Sequence, residues 1–175
     1  LNISLRKQQK WRRQMIEDRI TTQDYIDKLG ILPCECSCSK CKSMCHAPCC
    51  GSVEDFEKII EAGYAERLMF DDLPSVCDGG DIIKPALKGH EGKQAPWETK
   101  SELGCTFWKY GKCELHKSGL KPIQGKQATH TDQHVAADKA QAFSEISKAD
   151  WESPRGTALI EKWKKLVNYR ENEDE

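Results

Sequence analysis

The stretch Cys34-Glu35-Cys36-Ser37-Cys38-Ser39-Lys40-Cys41-Lys42-Ser43-Met44-Cys45-His46-Ala47-Pro48-Cys49-Cys50 holds seven of the chain's ten cysteines in seventeen residues. Its spacing is Cys-x-Cys-x-Cys-x2-Cys-x3-Cys-x3-Cys-Cys. Neighbours such as Cys49 and Cys50 cannot close a disulfide on each other without strain, because their Cβ vectors diverge. A metal ion tolerates the crowding, since one cation neutralises several thiolates and fixes their directions. The run reads as a metal site. A secreted disulfide scaffold is the rival reading, because ten is an even number of cysteines. Such scaffolds usually spread their cysteines along the chain, whereas reduced thiols suit a cytoplasmic setting.

The rest of the composition agrees with a metal-dependent fold. Leu, Ile, Val and Phe occupy 32 of 175 positions, about 18%, below what a purely apolar core uses comfortably. Bound metal is then expected to hold the central region. The net charge of −1 names no partner, but the charge is uneven. Arg6, Lys7, Lys10, Arg12 and Arg13 crowd the start, and the chain ends Glu-Asn-Glu-Asp-Glu. No apolar run approaches the roughly 18 residues of a membrane span, and no signal peptide is read at the start.

Outward from the cysteines, Ser52 with Asp55 marks a helix start, carrying Phe56, Ile59 and Ile60 towards Gly63. Cys49-Cys50-Gly51 thereby enters a helix N-terminus, whose dipole favours thiolate. On the amino-terminal side, residues 4–20 read as an amphipathic helix with a basic face. Thr21 and Asp24 cap a second helix, which ends at Gly30. Residues 71–104 are the least regular, with a short strand at Asp81-Ile82-Ile83-Lys84 and a solitary Cys77. Cys105-Thr-Phe-Trp-Lys-Tyr-Gly-Lys-Cys113-Glu-Leu-His116 reads as a β-hairpin with a cysteine on each arm. A loop over 117–130 precedes a helix capped by Thr131. His130 and His134 stand four apart across that start. Ser153-Pro154 opens the last helix, with Leu159, Trp163, Leu166 and Val167 as its apolar stripe. The expected fold is a small metal-stapled α+β domain over 34–130. Helices flank it, an extension over 1–33 and a packing pair over 131–175.

Two blocks make the chain resemble the YkgJ-like cysteine-cluster family, the zinc- or iron-chelating domain of bacteria and their phages. The first is Cys41-x3-Cys45-x3-Cys49-Cys50-Gly51, followed by a helix with an early acidic residue, Glu54. The second is Cys105-Thr-Phe-Trp…Gly111-Lys-Cys113-Glu-Leu-His116, which is similar to that family's Cys-x-Phe-Leu…Gly-x-Cys-x-Ile-Tyr segment. The likeness spans residues 38–126, about half the chain. It departs at Lys121-Pro122-Ile123-Gln124-Gly125-Lys126, where the family commonly reads Arg-Pro-x2-Cys-Arg, so that Gly125 stands in the place of a cysteine. The resemblance implies metal binding through Cys41, Cys45, Cys49, Cys50, Cys105 and Cys113. A replacement for the lost ligand would come from His116, His130, or one of Cys34, Cys36 and Cys38.

The expected function is metal binding, by zinc or an iron–sulfur cluster, in a structural or sensing role and with more than one ion. One alternative is a zinc-stapled module that binds nucleic acid or protein through the basic amino-terminal helix. The other is a metal-dependent enzyme using Glu54, His116, His130 or His134. A surplus of cysteines favours closed sites over an open catalytic one.

Overall fold

Side-chain caps set the helix starts in the computed structural model, which describes residues 19–33, 36, 38–72, 80–97, 101–128 and 137–170. Thr21 and Asp24 form a reciprocal capping box ahead of α1 (Thr22–Leu29), and Gly30 closes it at φ 64°. The Cys38 side chain caps α2 (Ser39–Met44). A second box, Ser52 with Asp55, starts α3 (Val53–Glu61). β1 (Leu68–Asp71) then pairs antiparallel with β2 (Ile82–Pro85), Leu68 facing Pro85 and Phe70 facing Ile83. A second antiparallel pair follows, β3 (Trp108–Lys109) with β4 (Lys112–Cys113). Two short helices, α4 (Glu114–Lys117) and α5 (Ile123–Gln127), lead to the longer α6 (Ala137–Trp151) and α7 (Pro154–Leu166). The fold is α+β, helices flanking a short hairpin.

One apolar cluster runs through these elements. It joins Tyr25 and Leu29 of α1, Val53, Phe56 and Ile59 of α3, and Ile82 and Ile83 of β2. Phe107 and, from the last helices, Phe143, Trp151 and Trp163 complete it. Both buried indoles keep their N–H groups satisfied, as burial demands. Trp151 Nε1 donates to the Gly51 carbonyl at 3.1 Å, and Trp163 Nε1 to the Ala65 carbonyl at 2.8 Å. The Arg155 guanidinium grips the Glu57 carboxylate and also reaches the Ile20 carbonyl at 3.1 Å. α7 is thereby tied to α3 and to the start of α1.

Asp150 is the polar centre of this packing. Its carboxylate accepts the Val53 N–H at 2.8 Å and the Tyr25 hydroxyl at 3.1 Å, so one buried group holds α1, α3 and α6 together. Burial pushes its carboxyl from 3.8 up to about 6; the two hydrogen bonds and Arg155 offset part of that rise, and nearby Asp55 adds to it. The folded chain then binds this proton more tightly than the unfolded chain. Stability from this group therefore increases as pH falls from about 7 through 6, levelling off below about 4. Proton affinity rises about a hundredfold on folding, which is worth about 3 kcal/mol. Urea unfolding of wild type and Asp150→Asn across that range, both in chelator, is expected to show a further gain in stability towards low pH in wild type that the variant lacks. Parallel curves would refute it.

Several expectations are corrected. The stretch 117–130 is not all loop: Asp55 Oδ2 accepts the Ile123 N–H at 2.9 Å, giving α5 an N-terminal partner that lies 68 residues away. Cys105 sits before the hairpin rather than on its first arm, in a bridge to Leu87. Leu166 is 51% exposed, and Ile160 takes its place in the core. The apolar cluster also crosses the central region, so metal is not the only thing holding it. Residues 4–18 of the helix expected over 4–20, the cap at Thr131 and Cys77 lie outside the described residues.

Candidate metal centre

The elbow that carries the cysteines is built around α2. Cys38 is its N-cap, and Cys38 Sγ accepts the Cys41 N–H at 3.4 Å, which turns both sulfurs to one side. Cys36 joins them: the three Sγ atoms lie within 4.8 Å of one another. In a tetrahedral zinc–thiolate site the sulfur–sulfur edge is about 3.8 Å, from bonds of about 2.3 Å. Sulfurs this close can reach such an edge with little movement, and three soft donors fit zinc or an iron–sulfur cluster. Cys36, Cys38 and Cys41 are close enough to hold one metal ion.

Four other thiols meet across a cavity of about 280 Å³: Cys45 and Cys49 from the elbow, Cys105 from just before the hairpin and Cys113 from its second strand. Backbone and ring contacts dock the two segments. The Cys105 N–H donates to the His46 carbonyl at 2.7 Å, and Trp108 Nε1 to the Lys42 carbonyl at 3.2 Å. The His46 and Trp108 rings meet edge to face with centroids 5.0 Å apart. Glycine permits the close approach at two points. A Cβ on Gly104, at φ 70°, would lie 2.8 Å from His46 Nε2, and one on Gly125 would lie 2.9 Å from Cys49 Sγ.

The electrostatics separate these thiols. A hydrogen bond from Cys113 and the Lys121 ammonium hold Cys45 below the usual thiol range. The same bond, with burial, drives Cys113 up. Burial raises Cys49 and takes Cys105 to about 11. Lys121 is 7% exposed and lines both this cavity and a neighbouring one of about 300 Å³. It stands as the buried cation between the two thiol groups. The thiols thus form a graded set in which Cys45 ionises first.

His116 lines the neighbouring cavity with Cys36, Cys41, Cys45 and Cys113. It is three residues past Cys113, the N-cap of α4, so the helix turns both towards the elbow. Cys50 belongs to the apolar core, with its N–H donated to Gln124 Oε1 at 2.7 Å, and lines neither cavity. Glu54 lines neither cavity either; the Thr22 N–H and Lys58 hold its carboxyl down at about 2. Cys34, His130 and His134 lie outside the described residues.

Sequence reasoning placed Cys36 and Cys38 as extras beside a set beginning at Cys41. The missed signal was Cys38-x2-Cys41 across a helix start, where cap and third residue share a side. Lys121 was missed altogether, because no local pattern marks a lysine for burial. Among the described residues, no helix is long and apolar enough to cross a membrane. No family model matches the chain, and neither a curated protein nor a solved structure matches it significantly.

Proposed function

We propose that the protein is a thiolate metal-binding protein with two neighbouring sites and a structural or sensing role, taking zinc or an iron–sulfur cluster. The observation that carries this is the convergence of Cys36, Cys38 and Cys41 Sγ within 4.8 Å. His116, which lines a cavity with Cys36 and Cys41, is the residue we assign as fourth donor to that triad. Cys45, Cys49, Cys105 and Cys113 make up the second site. The group, when bound, neutralises thiolate charge and cross-links its ligands. The chain's own residues orient those thiols through the Cys38 cap, the Cys105–His46 bond and the Lys121 cation. The resemblance to the YkgJ-like family supports the same reading, with one departure: where that family carries a further cysteine this chain has Gly125, whose Cβ would lie beside Cys49 Sγ.

The test is metal analysis of anaerobically purified protein, with visible absorbance to separate iron–sulfur clusters from zinc. Two equivalents of zinc or two clusters per chain are expected. Cys38→Ser is expected to lower the content of one site, and Cys45→Ser that of the other. A single ion per chain, with Cys36 and Cys38 fully alkylated, would sink the two-site reading.

A further inference from the structure

The cysteine-bearing surface is also a cationic one. Residues 36–51 and 104–128 contain seven lysines and a single carboxylate, in a chain whose net charge is −1. That carboxylate, Glu114, is already paired with Arg67 and Lys109. Lys42 of α2, Lys112 of β4, and Lys117 and His116 of α4 converge with Lys121 on the cavity of about 300 Å³. Among the described residues that line it there is no carboxylate. Lys121 is buried against the thiols, whereas Lys42, Lys112 and Lys117 are exposed. Exposed ammonium groups do little to offset buried thiolate charge, because water screens them. Their charge is therefore directed outwards.

Two residues before Lys112 of that lining stands an aromatic ring that no described residue buries. Tyr110 is 96% exposed at the tip of the hairpin, between Lys109 and Lys112. Its φ is 51° and that of Gly111 is 75°. A two-residue turn of this kind ordinarily takes Asn or Gly first, because a bulky side chain is disfavoured at positive φ. Thus the ring is costly to local folding and contributes no packing.

We propose that this face binds single-stranded nucleic acid, with successive backbone phosphates contacted by Lys42, Lys112 and Lys117 and a base stacked on Tyr110. Lysines that follow the backbone beside an aromatic platform are the combination that holds single strands without sequence preference. Lys42, Lys112 and Lys117 are the exposed lysines of that lining, so phosphates meet them from solvent while the thiols and His116 keep the interior, and a splayed base is free to reach the hairpin tip. An acidic peptide would use the lysines but has no flat face to lay on the ring. The inference does not depend on which metal the thiols hold.

The test is fluorescence anisotropy of a labelled oligothymidine of about 15 nucleotides, titrated with the metal-loaded full chain at several salt concentrations. Three phosphate contacts predict a slope of log affinity on log salt of about −2, at about 0.7 per contact on a single strand. Lys112→Gln/Lys117→Gln should bring the slope to about −0.7. Tyr110→Asn suits the turn, so it should leave the slope unchanged while weakening binding about tenfold. Metal content read on the same samples reports on the thiol sites separately. No binding at about 50 mM salt overturns the proposal. So does binding that ignores these variants but is lost in Arg12→Gln/Arg13→Gln, which would move the contact to the amino-terminal stretch. Equal competition by polyglutamate would assign a surface for acidic proteins instead. Loss of metal from Lys112→Gln/Lys117→Gln would assign the lysines to the thiolates.

Discussion

Stripping the metal from the protein is expected to lower hydrogen-exchange protection in residues 36–50 by on the order of a thousandfold, about 4 kcal/mol. That is well below the roughly 10–16 kcal/mol that a structural zinc site supplies. The reason is local. Among the described side chains, the only buried hydrophobic positions between residues 36 and 50 are Cys41 and Cys50, with no aliphatic or aromatic anchor. α2 is six residues long, too short to persist by propensity alone. By contrast, Val53, Phe56 and Ile59 are fully buried against Trp151 and its neighbours, so α3, α6 and α7 should keep their protection. The hairpin segment should respond in between, since Phe107, Leu115 and Ile123 anchor it in the core while Cys105 and Cys113 would lose their metal. The measurement is segment-resolved exchange with and without chelator, with metal loss verified. Unchanged protection over 36–50 would mean that the Cys38 cap and the docking to the hairpin suffice without metal.

What the sequence disclosed and what it hid divide along sequence separation. The caps at Thr21, Ser52 and Ser153 are contacts over three residues, and all three are found. The strand at Ile82-Ile83 and the turn at Tyr110-Gly111 are equally local, and both are present. β1 was not read, because Leu68-Met69-Phe70-Asp71 shows no alternation: all four residues are buried, on both faces. α5 was hidden because its partner, Asp55, belongs to another element's capping box. Low aliphatic content suggested a weak core; two buried tryptophans and Tyr25, each hydrogen-bonded, supply volume that a count of Leu, Ile, Val and Phe leaves out.

The candidate site shows the same division. That cysteines at 41–50 and at 105–113 come together was legible from two blocks far apart, and the Cys105–His46 bond and the shared cavity show the segments docked. How the thiols partition was not legible. Spacing alone does not say that Cys38 faces Cys41 across a cap while Cys45, one turn on, faces Cys113. Nor does it say that Cys50, adjacent to Cys49, is buried in the apolar core and lines neither cavity. Adjacent residues entering a helix diverge, so a Cys-Cys pair serves two environments.

Gly156→Ala is expected to destabilise the protein by about 3 kcal/mol, although helix propensity alone predicts a gain of about 1 kcal/mol. Gly156 lies in the first turn of α7, its N–H donated to the Ser153 side chain at 3.1 Å. A Cβ there would come within 2.4 Å of the Trp151 carbonyl oxygen and 2.7 Å of that of Asp150. These are backbone atoms at the end of α6, and they cannot easily retreat. Asp150 is held by Val53 and Tyr25, and the Trp151 indole by Gly51, so any shift strains three elements at once. The corner between α6 and α7 therefore requires the missing side chain, not the flexible backbone. Thr157→Ala, one residue on and exposed, is the control and should change stability by no more than about 0.5 kcal/mol. For a chain of this length, about 3 kcal/mol corresponds to a fall in Tm of about 6–12 °C. Equal or higher Tm in Gly156→Ala would show that the corner yields, and that the buried ties through Asp150 and Trp151 are looser than their hydrogen bonds indicate.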